Sequence, residues 1–346
     1  MPQQIDNPYR GAGLPGAALL PAADAAAVAA LLALCPRHAP TPLTELPGLA
    51  KRAGVASVAV KDERGRMGLG SFKALGAAYA IAAEAAGGEG PWESRLEGRG
   101  FVTASAGNHG LSVAAGAALF GARATVYLAE TVPEAFADRL RAKGAEVVRA
   151  GATYEDSMAA AEAGAAESGD QLLSDSSWPG YADWPHRVME GYLQLAAEAV
   201  GQVAAPPTHI LLQAGVGGLA AAVAAHARAV WGDAPVIVVV EPAHAPALFD
   251  SIRAGELVTS EGPTSAMGRL DCKTPSMIAL AGLARDADLF VTITEAEAEA
   301  GVAALAGEGL ETTPSGAAGI AALVAGLDLG SDARVLAIVS EGPERA

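Results

Sequence analysis

Residues 209–220 read HILLQAGVGGLA: a short apolar run, three closely spaced glycines and the start of an alanine-rich segment. An uninterrupted apolar run is typical of a strand buried on both faces, and the glycines predict a tight turn into a helix. The backbone N–H groups that begin such a helix can bind an anion. The stretch therefore predicts an α/β unit with an anion site at the carboxyl end of its strand.

The same alternation of strand and helix continues on both sides of this stretch. Further apolar, β-branched runs predict strands at 57–61, 100–104, 124–128, 146–149, 236–240, 289–294 and 334–340. Alanine-rich stretches predict helices at 22–34, 71–84, 109–119, 133–143, 155–168, 185–200, 217–230, 295–307 and 315–325. Strands that alternate with helices of this length indicate an α/β fold with mainly parallel sheets.

Composition and charge exclude several classes of function. The chain has 346 residues, of which 51% are hydrophobic, so that it can bury a large core. Its net charge of −16 argues against nucleic acid or an acidic membrane surface as a partner. An anionic substrate must therefore be held by local backbone dipoles. No spacing of His, Cys and acidic residues is typical of a metal site.

Cysteine content and the N-terminal region indicate a cytoplasmic protein. Cys35 and Cys272 are too few for a disulfide framework and favour a reducing compartment. The first residues lack the basic and then apolar pattern of a secretory signal. Residues 17–35 are almost wholly apolar, but Pro21 and Asp24 interrupt them, and we expect an ordinary helix there instead of a membrane span.

A second motif, Gly68-Leu-Gly-Ser-Phe-Lys73-Ala-Leu-Gly76, places a lysine at the start of an apolar helix. Long cationic side chains normally face water. If Lys73 is buried, desolvation should lower its pKa and favour the neutral amine that covalent catalysis needs. Taken alone, the motif fits a surface lysine, whose charged end reaches solvent, better than a catalytic one.

A third motif, Thr103-Ala-Ser-Ala-Gly-Asn-His-Gly110, also follows a predicted strand and opens a helix. Its small residues allow backbone N–H groups to converge on an anion such as a carboxylate, and Asn108 adds a side-chain donor. The alternative is an ordinary helix start capped by Asn108 or Ser105.

The glycine-rich stretch that begins at Gln213 also fits a dinucleotide-binding pattern. Gly215, Gly217 and Ala220 match G-x-G-x-x-A, and Glu241 ends the following strand, where a ribose-binding acid would stand. A nicotinamide-dependent oxidoreductase is therefore a competing hypothesis. Against it, Pro242 follows Glu241 directly, and the other motifs have no role in such an enzyme.

Two further segments offer hydroxyl groups at the carboxyl edge of a sheet, where α/β proteins bind ligands. They are Thr312-Thr-Pro-Ser-Gly-Ala-Ala318, which contains Ser315, and Val339-Ser-Glu-Gly342, which contains Ser340. Either segment alone is a weak indication, because Ser-Gly turns are common.

Taken in this order, the five motifs resemble the fold-type II pyridoxal-phosphate enzymes, the tryptophan synthase β-like group. The group includes serine and threonine dehydratases, cysteine synthases and serine racemase. Within it, the Lys73 motif, Leu212-Gln-Ala-Gly-Val-Gly217, Val240-Glu-Pro242 and Asp175-Ser-Ser-Trp-Pro-Gly-Tyr181 resemble the diaminopropionate ammonia-lyases. The aspartate followed by Trp-x-Gly-Tyr is the least general of these features.

The resemblance implies roles for individual residues. Lys73 would hold pyridoxal phosphate covalently and take the α-proton of the substrate, and Asp175 would act as acid or base near its β-amino group. The implied cofactor-binding residues are Lys73, Phe72, Asn108, Gly215, Val216, Gly217, Gly218, Leu219 and Ser340. The implied substrate-binding residues are Ser105, Ala106, Gly107, Asn108, His109 and Ser315. Ser340 would be a neutral partner of the ring nitrogen, which suits elimination.

The resemblance further implies a homodimer of chains with two three-layer α/β domains. Residues 77–181 would form a small mobile domain, and residues 1–76 and 182–346 a large cofactor-binding domain. The segment 260–273 has little periodicity and could be a mobile loop. The expected reaction is α,β-elimination of a small amino acid. The first candidate for the substrate is 2,3-diaminopropionate, which would give pyruvate and ammonia.

One residue departs from the pattern of the ammonia-lyases. Ala106 stands where those enzymes usually carry an aspartate, whose familiar role is to take the proton of the D-isomer. The L-isomer is therefore the expected substrate. Alternatives on the same scaffold are a dehydratase acting on serine, threonine or 3-hydroxyaspartate, a β-replacement transferase and a racemase.

Overall fold

The computed structural model of the chain describes residues 2–17, 19–105 and 107–343. Its strands belong to two separate sheets. In chain order the strands are β1 (Gln3–Asp6), β2 (Leu43–Glu45), β3 (Ser57–Asp62), β4 (Gly100–Ala104), β5 (Arg123–Leu128), β6 (Glu146–Arg149), β7 (Gln171–Leu172), β8 (His209–Gln213), β9 (Val236–Pro242), β10 (Leu289–Ile293) and β11 (Arg334–Val339).

The helices that flank these strands are mostly long and rich in alanine. They are α1 (Ala26–Leu32), α2 (Pro47–Ala53), α3 (Lys73–Ala86), α4 (Asn108–Leu119), α5 (Glu134–Arg141), α6 (Tyr154–Ser168), α7 (Asp183–Gln202), α8 (Gly218–Trp231), α9 (Ala247–Ala254), α10 (Met277–Asp286), α11 (Glu295–Ala306) and α12 (Pro314–Val324). Two short 3₁₀ helices cover Glu63–Gly68 and Trp92–Ser94.

The larger sheet has seven strands in the order β1-β10-β9-β8-β11-β3-β2. Its interior pairs are parallel, and only the edge strands β1 and β2 run antiparallel to their neighbours. The smaller sheet, β6-β5-β4-β7, is entirely parallel. The predicted α/β architecture with mainly parallel sheets is confirmed.

All eight predicted strands are present, with ends that differ by at most two residues from those expected. The sequence analysis missed β1, β2 and β7, which have only two to four residues each and therefore show no clear period. It also missed α2, α9 and α10. The predicted helix at 22–34 is shorter and begins at Ala26, whose N–H group donates to the Asp24 carboxylate.

The smaller sheet draws all its strands from residues 100–172, and the larger sheet draws its strands from 3–62 and 209–339. One apolar cluster joins the two sheets and helices α3 and α7, and its members include Phe101 of β4, Ile210 of β8, Leu75 of α3 and Leu195 of α7. The domain boundaries at residues 76 and 181 stay a prediction. None of the helices in the described ranges is long and apolar enough to cross a membrane.

A buried cluster of charges fixes the chain just before Lys73. Lys61 and Arg66 donate to the Glu198 carboxylate at 2.6 and 2.7 Å, and Arg66 also donates to Glu63 at 2.7 Å. Burial alone would raise the pKa of Glu198, but the hydrogen bonds and charges of Arg66 and Lys61 lower it to about 2. Separating the members of such a buried network would leave a charge without its partner, which is energetically costly. The network therefore holds the 3₁₀ helix Glu63–Gly68 against α7.

Helices α3 and α7 cross at a glycine. A Cβ atom on Gly191 would lie 2.5 Å from the carbonyl oxygen of Leu75 and 2.9 Å from the Cα atom of Gly76. Both neighbours are backbone atoms, which cannot move aside as a flexible side chain can. Gly191 therefore sets how closely α7 approaches the helix that begins with Lys73.

We predict that Gly191→Ala destabilises the fold by about 1–3 kcal/mol, in spite of alanine's higher helix propensity, because the two helices must separate. The matched control is Gly201→Ala in the same helix, where nothing lies within 4 Å of the added Cβ atom. That change should be neutral or stabilising by up to about 1 kcal/mol. Urea unfolding of both variants measures the difference, and equal midpoints would contradict this account of the crossing.

Candidate active site

The turn that carries Lys73 is tied to the end of β11. The N–H group of Phe72 donates to the carbonyl of Ser340 at 3.1 Å, and the N–H group of Gly342 donates to Gly70 at 2.9 Å. Ser71 and Glu341 form an isolated antiparallel bridge between the same two segments. Lys73 then begins α3, so that its position is set at the carboxyl edge of the larger sheet, where α/β proteins bind ligands.

The amine of Lys73 contacts the carboxylate of Asp175. Burial alone would lower the pKa of Lys73, but the charge of Asp175 outweighs it and raises that pKa above its ordinary value. Burial alone would raise the pKa of Asp175, but the charge of Lys73 outweighs it and holds that pKa below its usual range. The expectation of a lowered pKa for Lys73 is therefore wrong, because the carboxylate beside the amine favours its charged form more strongly than burial disfavours it.

The segment that carries Asp175 follows β7 and is held by Tyr181. The Tyr181 hydroxyl accepts the N–H group of Ser174 at 3.0 Å and donates to the carbonyl of Leu172 at 2.9 Å. Its ring stacks on Trp178 with centroids 4.4 Å apart. The motif Trp-x-Gly-Tyr thus closes a small loop that presents Asp175 to Lys73.

The segment that carries Asp175 is also anchored to the start of α10. The Ser177 hydroxyl lies 2.7 Å from that of Ser276 and accepts the N–H group of Ile278 at 3.0 Å. Both contacts lie at the start of α10. Asp175 is therefore positioned from two sides.

The glycine-rich loop between β8 and α8 is packed too closely to carry side chains. A Cβ atom on Gly215 would lie 3.0 Å from both the Cys272 sulfur and the Cα atom of Leu270. Gly217 has φ +95°, which side chains rarely allow. Gly218 begins α8, whose first N–H groups have no partner within the helix. The loop has the backbone geometry expected of a phosphate cradle, and the phosphate-binding role of Gly215–Leu219 stays a prediction.

The Asn108 loop follows β4 and opens α4. The Ser105 hydroxyl accepts the N–H group of Gly107 at 3.1 Å, and the Asn108 amide donates to the carboxylate of Glu341. His109 is 5% exposed and donates from Nε2 to the carbonyl of Leu173 at 2.8 Å. Burial lowers the pKa of His109, which disfavours the charged form of the ring. The prediction for Ala106 lies outside the described residues.

Ser315 and the segment 260–273 belong to one hydrogen-bonded arrangement. The Ser315 hydroxyl accepts the N–H group of Arg269 at 3.1 Å. The ends of the segment are joined by a hydrogen bond of 2.8 Å from Ser260 to Lys273, and the Lys273 amine donates to the carbonyl of His244 at 2.7 Å. The substrate-binding role of Ser315 stays a prediction, as does any gating by the segment.

Three residues near Lys73 were not predicted to act in the site. They are Tyr192 of α7, Tyr154 of α6 and Glu341. Cys272, which was weighed as a packing residue, is near enough to Lys73 and Asp175 for their charges to act on its thiol, and burial raises the pKa of that thiol to about 12. In sequence, Glu341 could have been noticed as an acidic group beside Ser340, but nothing marks Tyr192.

The dinucleotide hypothesis fails at Glu241. This side chain is fully buried, and its carboxylate accepts the N–H groups of Leu248 and Phe249, both at 2.7 Å. It therefore caps α9 and cannot reach a ribose. Burial raises its pKa to about 8.

The residues present fit pyridoxal phosphate. The cradle of Gly215–Gly218 suits the phosphate group, and the amine of Lys73 suits the aldehyde. The buried hydroxyl groups of Ser71 and Tyr192 have no hydrogen-bond partner among the described residues, as expected next to a polar ligand. Among residues 2–17, 19–105 and 107–343, no cluster of His, Cys, Asp and Glu could hold a metal ion.

Comparisons with known proteins agree with this geometry. A family model described as pyridoxal-phosphate dependent enzyme matches residues 34–341. Diaminopropionate ammonia-lyase of Escherichia coli (strain K12) is 32% identical over 338 residues, covering 88% of this chain and 85% of that protein. The enzyme of the same name from Salmonella typhimurium is 33% identical over 290 residues, covering 77% of this chain and 72% of that protein.

A solved structure resembles the fold over nearly its whole length. The crystal structure of holo diaminopropionate ammonia lyase from Escherichia coli matches with a TM-score of 0.87 and 30% identity, covering 99% of this chain and 94% of that one. The family match covers more than half of the chain and includes Lys73, the glycine loop and Ser340. This chain therefore belongs to the family of pyridoxal-phosphate-dependent enzymes and has the fold-type II architecture.

Proposed function

We propose that this enzyme eliminates ammonia from 2,3-diaminopropionate and releases pyruvate and a second ammonia. The observation that carries the proposal is the contact between the carboxylate of Asp175 and the amine of Lys73. The named relatives from Escherichia coli and Salmonella typhimurium are diaminopropionate ammonia-lyases. One solved relative is a complex with an aminoacrylate-PLP azomethine reaction intermediate, which is what an elimination produces.

Several residues would hold the cofactor in this site. Lys73 would bind it covalently, the Gly215–Leu219 backbone would hold its phosphate, and Ser340 would lie at its ring nitrogen. Phe72 and Asn108 would complete the binding. When bound, pyridoxal phosphate withdraws electrons from the α-carbon of an amino acid and so makes its hydrogen acidic.

Lys73, displaced from the cofactor by the α-amino group of the substrate, would take the α-proton at Nζ, and for this its amine must be neutral. Asp175 opposes that state, because its charge raises the pKa of Lys73. A substrate with a β-ammonium group supplies another cation for Asp175. Pairing of that group with Asp175 would release Lys73 from the ion pair and allow it to act as a base.

The leaving group also favours a β-amino over a β-hydroxyl substrate. As the Cβ–N bond breaks, its electron pair stays with nitrogen, and a group that is already ammonium departs as neutral ammonia. The hydroxyl of serine is uncharged, gains no ion pair with Asp175 and must be protonated before it leaves. The unsaturated product then reacts with water to give pyruvate and the second ammonia.

The substrate carboxylate would lie at the start of α4. The N–H groups of Asn108 and His109 belong to the first turn of that helix, where an anion is stabilised by unpaired donors and the helix dipole. Ser105, Ala106, Gly107 and Ser315 complete the proposed carboxylate site. Closure of residues 77–181 over the substrate would exclude water from it.

We propose that the enzyme is a cytoplasmic homodimer. Both cysteines, Cys35 and Cys272, are free thiols in the fold, which suits a reducing compartment. The dimer is proposed by analogy with the fold-type II group, and gel filtration with light scattering measures it.

We predict that Asp175→Asn lowers the turnover of L-2,3-diaminopropionate by about 10²–10⁴-fold, because the amide cannot pair with a β-ammonium group. Any residual turnover of L-serine should fall much less. The control is Asp138→Asn in α5, which removes an exposed ion pair with Arg141 and should leave both rates unchanged. Release of 2-oxo acid is measured for each variant. Unchanged turnover of diaminopropionate in Asp175→Asn would remove this residue from the mechanism.

We predict a preference for L- over D-2,3-diaminopropionate of at least about 100-fold, because Ala106 cannot act as the base that the D-isomer requires. Ala106→Asp should raise turnover of the D-isomer and so lower the ratio of L-isomer to D-isomer turnover. The comparison uses 2-oxo acid release from both isomers and from serine, threonine and 3-hydroxyaspartate. Efficient turnover of the D-isomer by the unchanged enzyme would refute the role given to Ala106.

A further inference from the structure

Tyr192 of α7 carries a buried hydroxyl group beside Lys73. The side chain is 1% exposed, and within the described ranges the hydroxyl makes no hydrogen bond of ordinary length. The amine of Lys73 is nevertheless close enough for a longer, weaker hydrogen bond to it. The amine of Lys73 lies 5.9 Å from the centroid of the Tyr192 ring. The edge of the Phe72 ring packs against the same ring with centroids 4.9 Å apart. The hydroxyl therefore faces the pocket of Lys73.

The fold keeps space for this side chain at Gly76, and the start of α8 packs against its ring. A Cβ atom on Gly76 would lie 2.6 Å from Cε1 of Tyr192 and 2.8 Å from its hydroxyl oxygen. A Cβ atom on Gly218, at the start of α8, would lie 3.6 Å from Cε2 of the ring. Gly76 lies three residues after Lys73 in α3, and because it has no side chain, the hydroxyl end of Tyr192 fits against the helix there.

Packing alone does not account for a tyrosine here. A phenylalanine would fill nearly the same volume, whereas a buried hydroxyl without a hydrogen bond of ordinary length destabilises the fold. Burial raises the pKa of the hydroxyl, although the charge of Lys73 acts in the opposite direction. The group is therefore neutral and close enough to Lys73 for the two to influence each other.

We infer that Tyr192 positions Lys73: its hydroxyl oxygen accepts an N–H group of the lysine once Asp175 has paired with the substrate. A carboxylate favours the ammonium form of the lysine, but a neutral oxygen orients the amine without a full opposing charge. The inference deepens the proposed elimination and rests on it. Tyr192 touches no reacting atom in this account and acts through Lys73.

The test is Tyr192→Phe in the cofactor-loaded enzyme, with Tyr79→Phe as control. Tyr79 is also buried, at 8% exposure, but lies further along α3 and faces Glu190 and Arg187 of α7. We expect Tyr192→Phe to lower kcat for L-2,3-diaminopropionate by about 10- to 100-fold, because the lysine is no longer held in place. KM should change by less than about threefold, since substrate binding is not affected.

Two further measurements do not depend on activity. The pH midpoint of the bound cofactor's visible absorbance should fall by about half a unit or more in Tyr192→Phe, because the oxygen no longer stabilises a positive charge on Nζ. The groups facing Lys73 that both variants retain are Asp175, His109, Tyr154 and Cys272. The unfolding midpoint of Tyr192→Phe should equal or exceed that of the unchanged enzyme.

The outcomes separate the inference from the proposed function. An absorbance midpoint and a kcat in Tyr192→Phe that match the unchanged enzyme would overturn the inference. So would loss of folding in that variant, since it would show that the hydroxyl has a structural partner. If the loaded enzyme eliminates from no amino acid tested, the proposed function fails, and the absorbance midpoint still decides whether Tyr192 acts on Lys73.

Discussion

The ion pair between Lys73 and Asp175 is the interaction on which the site depends. It joins the first residue of α3, which follows strand β3 of the larger sheet, to the segment after β7, a strand of the smaller sheet. Each partner keeps the other charged inside a largely buried pocket. A cation that replaces Lys73 beside Asp175 frees the lysine, so that substrate binding and activation of the base become one event in the proposed mechanism.

The surrounding fold holds the two charges in place. On one side, the end of β11 binds the turn before Lys73, and the cluster around Glu198 fixes the 3₁₀ helix before that turn. On the other side, Tyr181 and Ser177 hold the loop that carries Asp175. Rigid support on both sides is what precise proton transfer requires.

The sequence predicts the parts of this arrangement that are local. Buried apolar runs identify the strands, and the spacing of glycines identifies the cradle at 215–218. The sign of the pKa shift on Lys73 could not be predicted, since Asp175 lies 102 residues away. Tyr192 was missed for the same reason: only the crossing of α3 and α7 at Gly76 and Gly191 brings its hydroxyl to the lysine.

Some features of the fold have no sequence signal strong enough to be recognised. Strands β1, β2 and β7 are short pieces at sheet edges, and their pairing depends on neighbours that fold elsewhere in the chain. Glu241 imitates a ribose-binding acid in sequence but caps α9 in the fold. A motif of this kind predicts a function only when its structural context agrees.

The central claim is that Lys73, and no other lysine, carries pyridoxal phosphate. The chain has five lysines, at positions 51, 61, 73, 143 and 273. The most direct measurement is borohydride reduction of the cofactor-loaded enzyme, followed by peptide mass spectrometry. The account predicts the pyridoxyl mass on the peptide that contains Lys73 and on no other. A label on a different lysine, or no label in enzyme saturated with cofactor, would contradict it.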